Sequence, residues 1–170
     1  LVAYLHGALD ELDRVDLMLV NVETDSGWRL TSGAGSELTT PLWSPDGQRL
    51  AYTSEQPGFY ELFVIDVGTG QDRQLTQLGC DIVDYTWSPD GARLLYLSPR
   101  GLEVVPALGG VSRLLASQSP DFRLAWGAWT PAGGEIAYSS ADTLYLRDLN
   151  ADAPRVLARS GQAHSPAWSP

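Results

Sequence analysis

The sequence predicts an all-β fold of the β-propeller kind, built from four-stranded antiparallel blades, and three observations carry that prediction. The stretch Trp43, Ser44, Pro45, Asp46, Gly47 returns intact as Trp87, Ser88, Pro89, Asp90, Gly91, in worn form as Trp129-Thr130-Pro131-Ala132-Gly133, and as a stub at Trp168, Ser169, Pro170. A motif that recurs about every 40 residues marks a repeat architecture. Around each copy stand four short apolar runs rich in leucine, β-branched and aromatic residues, punctuated by turn residues. Runs that short, bounded by Gly and Pro, read as strands rather than core helices.

The motif has a physical reason. Proline presets φ early in the turn, aspartate hydrogen-bonds its own local backbone, and glycine takes the positive φ that side-chain-bearing residues avoid. Ser-Pro-Asp-Gly is thus a tight reversal between first and second strands. The tryptophan before it ends the first strand and is large enough to fill the wedge between neighbouring sheets, where its truncation would cost about 3–5 kcal/mol. One small sheet cannot bury both of its faces, so the units stack around an axis.

Taken in order, the chain opens at Leu1-Val2-Ala3-Tyr4-Leu5-His6, which aligns with Leu50-Ala51-Tyr52-Thr53-Ser54 as a second strand. Nothing supplies its first strand and turn, and neither an initiating methionine nor a signal-peptide pattern is present, so the chain reads as a fragment. The long segment after Gly7 carries Asp10, Glu11, Asp13 and Asp16. A calcium loop would need a glycine-centred twelve-residue frame, which is lacking, so this segment reads as a solvated rim loop. Asp16 to Asn21 is the third strand, and Trp28-Arg29-Leu30-Thr31 the fourth. Ser32-Gly33-Ala34-Gly35-Ser36 is a linker between blades; as a phosphate cradle it lacks the remaining glycine and a following helix.

The first complete blade spans about 38–76, with Glu55-Gln56-Pro57-Gly58 as its middle turn. The second spans about 82–115, with Asp81 and Asp84 flanking its entry, and the third about 124–157, where Ala132 removes the aspartate of the motif and its local hydrogen bond. Ala163 to Pro170 is a first strand with nothing after it, so residues 1–32 and 163–170 make a split fourth blade-equivalent. Either that split blade closes a small ring, or the four units belong to a larger one; the second reading is preferred because four blades would pinch the central channel.

These residues carry a resemblance. Pro41-Leu42-Trp43-Ser44-Pro45-Asp46-Gly47 with Leu50-Ala51-Tyr52, then Leu62-Phe63-Val64-Ile65-Asp66, Thr69-Gly70 and Gln74-Leu75-Thr76, resembles the repeat of the TolB-type (WD-like) β-propellers, and it does so across essentially the whole chain.

Composition narrows function. The net charge is −10, with eleven cationic residues, all arginine. An acidic domain without basic clusters disfavours nucleic acid and anionic membranes as partners. The single cysteine, Cys80, forbids an internal disulfide, and no apolar stretch is long enough to insert in a membrane. No Gly-x-Ser-x-Gly elbow is present. His6 and His164, both beside the split blade, read as structural; a shared metal would have only these two ligand candidates. Asp46 and Asp90 occupy equivalent turns of different blades, so they read as turn residues rather than an acid–base pair. No catalytic, cofactor-binding or metal-ligating set is expected.

The expected role is a non-catalytic scaffold for an unidentified protein partner. The resemblance implies the bacterial cell envelope, in a periplasmic or extracellular setting. The alternatives are the substrate-gating propeller of a prolyl-oligopeptidase-like serine peptidase, or the sensor propeller of a bacterial regulator; the Val105-Pro106-Ala107-Leu108-Gly109-Gly110 turn suits both TolB-like and peptidase propellers. In each case further blades or a neighbouring domain belong to the parent protein. The loops least constrained by the blade pattern, with Asp10, Glu11, Asp13, Asp16, Glu55, Phe59 and Tyr60, are the candidate partner contacts.

Overall fold

The computed structural model describes residues 1–7, 15–31, 38, 41–118, 124–159 and 166–169. Every regular element among them is a strand. The chain divides into two compact units, Leu1–Ile82 and Val83–Pro170.

In the first unit, β1 (Val2–Gly7), β2 (Val15–Asn21) and β3 (Ser26–Arg29) form a three-stranded antiparallel sheet. A four-stranded sheet follows, with β4 (Leu42–Trp43), β5 (Arg49–Gln56), β6 (Phe59–Asp66) and β7 (Asp72–Gln74) paired in chain order. Leu17 and Leu19 of β2 pack against Leu50, Tyr52 and Ile65 of the second sheet, with Trp43 at the margin of that core. Alternation is what allows this: in a strand every second side chain faces the same way, so one row of β2 and matching rows of β5 and β6 meet.

In the second unit, β8 (Asp84–Trp87), β9 (Arg93–Ser98), β10 (Gly101–Pro106) and β11 (Arg113–Ser117) form one four-stranded antiparallel sheet, and β12 (Leu124–Trp129), β13 (Glu135–Ser140), β14 (Thr143–Asp148) and β15 (Arg155–Arg159) the other. Leu95, Leu102, Val104 and Leu115 of the former meet Trp129, Ile136, Tyr138 and Leu149 of the latter. Trp129 is thus buried among side chains of both sheets, while the half-buried Trp43 packs at the margin of the core in its own unit. Gly127 is packed between the two sheets: a Cβ there would meet Leu102, Ile136 and Leu95 side-chain atoms at 3.1–3.2 Å.

One hydrogen bond repeats in all three four-stranded sheets. The amide just past the third strand donates to the carbonyl just past the motif glycine: Val67 to Gln48 (2.9 Å), Ala107 to Ala92 (2.9 Å) and Leu149 to Gly134 (3.2 Å). It gathers the first and third turns of each sheet at one end and leaves the middle hairpin at the other.

Several details differ from the sequence expectation. Glu55 and Gln56 are strand residues paired with Tyr60 and Phe59, so the middle turn shrinks to Pro57-Gly58, with Gly58 at φ 85°. A two-residue hairpin with a left-handed glycine lets both strands run longer. The last strand of the three-stranded opening sheet is Ser26–Arg29 rather than Trp28–Thr31, because Leu30 and Thr31 turn back to donate to the Leu17 carbonyl. Residues 166–169, expected in a first strand, form none. Trp168 is 42% exposed and held by its Nε1 donating to the Ala128 carbonyl at 3.4 Å, so it lacks the buried setting of Trp87 and Trp129.

Candidate functional site

The repeated turn is a closed hydrogen-bonded clasp. The Ser44 hydroxyl donates to Asp46 Oδ1 at 2.5 Å and accepts from the Arg49 amide at 2.9 Å, while Asp46 Oδ1 also accepts from the Gln48 amide at 3.0 Å. The second copy repeats it: Ser88 to Asp90 at 2.5 Å, the Arg93 amide to Ser88 at 2.9 Å, and the Ala92 amide to Asp90 at 2.9 Å. Gly47 and Gly91 take φ of 68° and 65°, which completes the reversal. The serine hydroxyl, then the following backbone amide, hold the carboxyls of Asp46 and Asp90 below the usual carboxylate range. Both acids are thereby committed to their own turns. Pro45, Pro89 and Pro131 occupy the matching second position, with Gly133 at φ 73° in the worn copy. Ser169 is exposed, and Pro170 and His164 lie outside the described residues.

Buried carboxylates are committed as well. Glu61 accepts from the Thr76 hydroxyl (2.6 Å) and from the amides of Leu78 (2.6 Å) and Gly79 (3.0 Å). Thr76 in turn accepts from the Leu62 amide at 2.9 Å, just as Thr31 accepts from the Leu17 amide at 2.9 Å. These threonine clamps were readable only as the recurring Leu-Thr after Arg29 and Arg73. The same register position of each second strand holds Tyr4, Tyr52, Tyr96 or Tyr138, opposite Met18, Phe63, Glu103 and Tyr145. Tyr52 and Phe63 stack at 5.6 Å, and Tyr138 and Tyr145 at 5.2 Å. Burial, reinforced by the hydrogen bond to Asp72, raises the Tyr52 hydroxyl pKa; burial likewise raises those of Tyr96 and Tyr138. Among the described residues, no three His, Cys, Asp or Glu side chains gather as a metal site.

The candidate contact residues separate into groups. Asp10, Glu11 and Asp13 lie outside the described residues. Asp16 sits in β2, opposite His6, and pairs with Arg29 at 3.1 Å. Glu55, Phe59 and Tyr60 share the β5–β6 hairpin end, where Phe59 is exposed and Asp81 accepts from the Tyr60 amide at 3.0 Å.

The second unit contains a pocket of about 180 Å³ that sequence reasoning missed. Arg93, Val104, Pro106, Val111, Arg113, Leu149 and Asn150 line it, drawn from the β8–β11 sheet and the turn that follows β14. The Arg93 guanidinium lies 5.8 Å from the Trp129 ring centroid, and Arg113 donates to the carbonyls of Leu149 and Ala151. No spacing rule links residues on different blades, which is why the pairing was invisible in the chain alone.

Comparison with known proteins places this architecture. The sequence matches the TolB beta propeller domain over residues 11–170. A protein TolB homolog of Protochlamydia amoebophila is 44% identical over 41 residues, which is 24% of this chain and 9% of the relative. The structure of TolB from Acinetobacter baumannii aligns with a TM-score of 0.56 at 21% identity, covering 92% of this chain and 40% of that one. A prolyl endopeptidase structure aligns with a TM-score of 0.67 at 17% identity, covering 98% of this chain and 29% of that one. The two structural likenesses are likenesses of fold, and this chain spans well under half of either protein. With a family match running through nearly all of its repeats, the chain belongs to the TolB β-propeller domain family.

Proposed function

We propose that this chain is a non-catalytic, protein-binding scaffold of the bacterial cell envelope, periplasmic or extracellular, and part of a larger propeller. The observation that carries the reading is the family match over residues 11–170. It is supported by chemistry: the motif carboxylates Asp46 and Asp90 and the buried Glu61 are held in local hydrogen bonds, which suits a rigid platform on which loops grip a partner. The hairpin end with Glu55, Phe59 and Tyr60, together with the Asp10–Asp16 segment, supplies contacts. Placing a photo-crosslinking residue at Phe59 in the full-length protein tests this; adducts with one envelope protein are expected, and their absence from both Phe59 and Tyr60 overturns the assigned contacts.

A second reading has its own support in the prolyl endopeptidase likeness, whose TM-score exceeds that of TolB. In it, the propeller gates a hydrolase domain elsewhere in the parent protein. The two readings part on turnover: this chain alone hydrolyses no peptide or ester under the scaffold reading, while the parent protein would do so under the second.

A further inference from the structure

The second unit's pocket is cationic in a protein whose net charge is −10. Arg113 donates only to the neutral carbonyls of Leu149 and Ala151, so among the described residues its positive charge has no carboxylate within ion-pair distance. Arg93 has one, Asp90 at 3.6 Å, but both side chains of that pair are substantially exposed, so it is a weak tie that a better-placed anion can replace. Behind Arg93, whose guanidinium lies 5.8 Å from the Trp129 ring centroid, Trp129, Ile136 and Arg147 form one row across β12, β13 and β14. Trp129 Nε1 and Arg147 Nε are buried there without an acceptor among the described residues. The pocket lining itself offers two guanidinium groups and the Asn150 side-chain amide.

The opposite lip is apolar. Val104 and Pro106 line the pocket, and the loop beyond them carries Leu108 at 70% and Val111 at 91% exposure. At about 180 Å³ the pocket holds roughly six waters at ~30 Å³ each, room for a single side chain rather than a cofactor. A free anion would use the guanidinium groups and leave the exposed aliphatic lip uncovered. An extended peptide uses both.

We propose that this pocket docks a segment of a protein partner in which an Asp or Glu stands beside an aliphatic residue. The carboxylate meets Arg113 and Arg93, and the aliphatic side chain covers Val104, Pro106 and Val111. Charge complementarity selects the partner, since guanidinium groups favour planar, two-oxygen acceptors. This deepens the scaffold reading and rests on it, while assigning a site away from the Phe59 hairpin.

The test is panning a random heptamer display library on the wild-type chain, with counter-selection against Val111→Asp and, separately, Arg113→Gln. Arg113→Gln also removes the bonds to Leu149 and Ala151, so Val111→Asp, at an exposed position, guards against a folding artefact; near-UV circular dichroism checks both. The expected result is enrichment of heptamers with Asp or Glu next to Leu, Ile or Val. Their affinity should drop at least tenfold with either variant, and equally when the acid is replaced by its amide. Enrichment of basic or uncharged sequences, no enrichment, or equal binding to Val111→Asp overturns the proposal. So does glutarate competing as tightly as the peptides, which would make this a small-carboxylate site. A partner crosslinked at Phe59 yet bound equally by Val111→Asp and Arg113→Gln leaves the scaffold reading standing and removes only the pocket.

Discussion

The turns at 44–49 and 130–135 perform the same reversal with different chemistry. At the first, a hydroxyl bridges a carboxylate and an amide: Ser44 donates to Asp46 and accepts from Arg49. At the second, Ala132 offers no carboxylate, and the Thr130 hydroxyl faces only the Glu135 backbone, at 3.2 Å to its carbonyl and 3.3 Å from its amide. Yet Gly47 and Gly133 adopt nearly the same φ, 68° and 73°. Backbone geometry defines the turn, and the serine–aspartate clasp reinforces it. The tryptophan beside each turn belongs to a separate layer of stabilisation, since Trp129 is buried as deeply beside the worn turn as Trp87 beside an intact one.

The widest separation of those layers comes from Trp129→Ala, expected to destabilise by about 3–5 kcal/mol because a buried indole leaves a cavity between two sheets. Trp168→Ala, at a half-exposed position, should change little by comparison in the same thermal unfolding measurement. Ser44→Ala comes next. It strands the Arg49 amide and costs about 1–3 kcal/mol, whereas Thr130→Val costs about 1 kcal/mol or less. Equal losses at the two sites would dissolve the distinction between clasp and backbone. Ala132→Asp sharpens it from the other side, and rebuilding the clasp should stabilise by about 1 kcal/mol, a rise of roughly 2–4 °C in Tm.

Acid should read the same difference. Asp46 and Asp90 ionise more readily in the folded chain than at the ordinary 3.8, so their contribution is present above that value and is lost as pH falls through the depressed folded pKa. Asp46→Asn with Asp90→Asn should flatten the acid limb of a Tm–pH curve, while Ala132 gives the third turn no such limb. On the alkaline side the sign reverses. The tyrosine pKa values are raised by burial, so their contribution is complete below the ordinary 10.0 and declines as pH rises above it. The smallest effect expected is at Ala141, which holds a φ of 50° in the β13–β14 hairpin; Ala141→Gly should stabilise by about 0.5 kcal/mol.

The repeat was legible because its cause is local: proline, aspartate and glycine at fixed offsets, and a tryptophan every blade. The strand rows were legible for the same reason, since alternation predicts which of Leu50, Tyr52 and Ile65 share a face. Less visible was the serine, a common turn residue with no special mark in the chain, although Ser44 and Ser88 are the centres of their clasps. Glu61 looked like an ordinary strand residue, and only the fold reveals that it anchors the amides of Leu78 and Gly79. The Arg93–Arg113 pocket was beyond reach, being a product of packing between sheets.

Gly127 has a wider bearing. Where a backbone atom already rests against side chains of both sheets, an added methyl requires Leu95, Leu102 and Ile136 to give way by a few tenths of an ångström. Tolerance to change is therefore uneven across the second unit. Exposed positions such as Val111 have room for change, whereas at Gly127 even one added carbon atom must be accommodated by its neighbours.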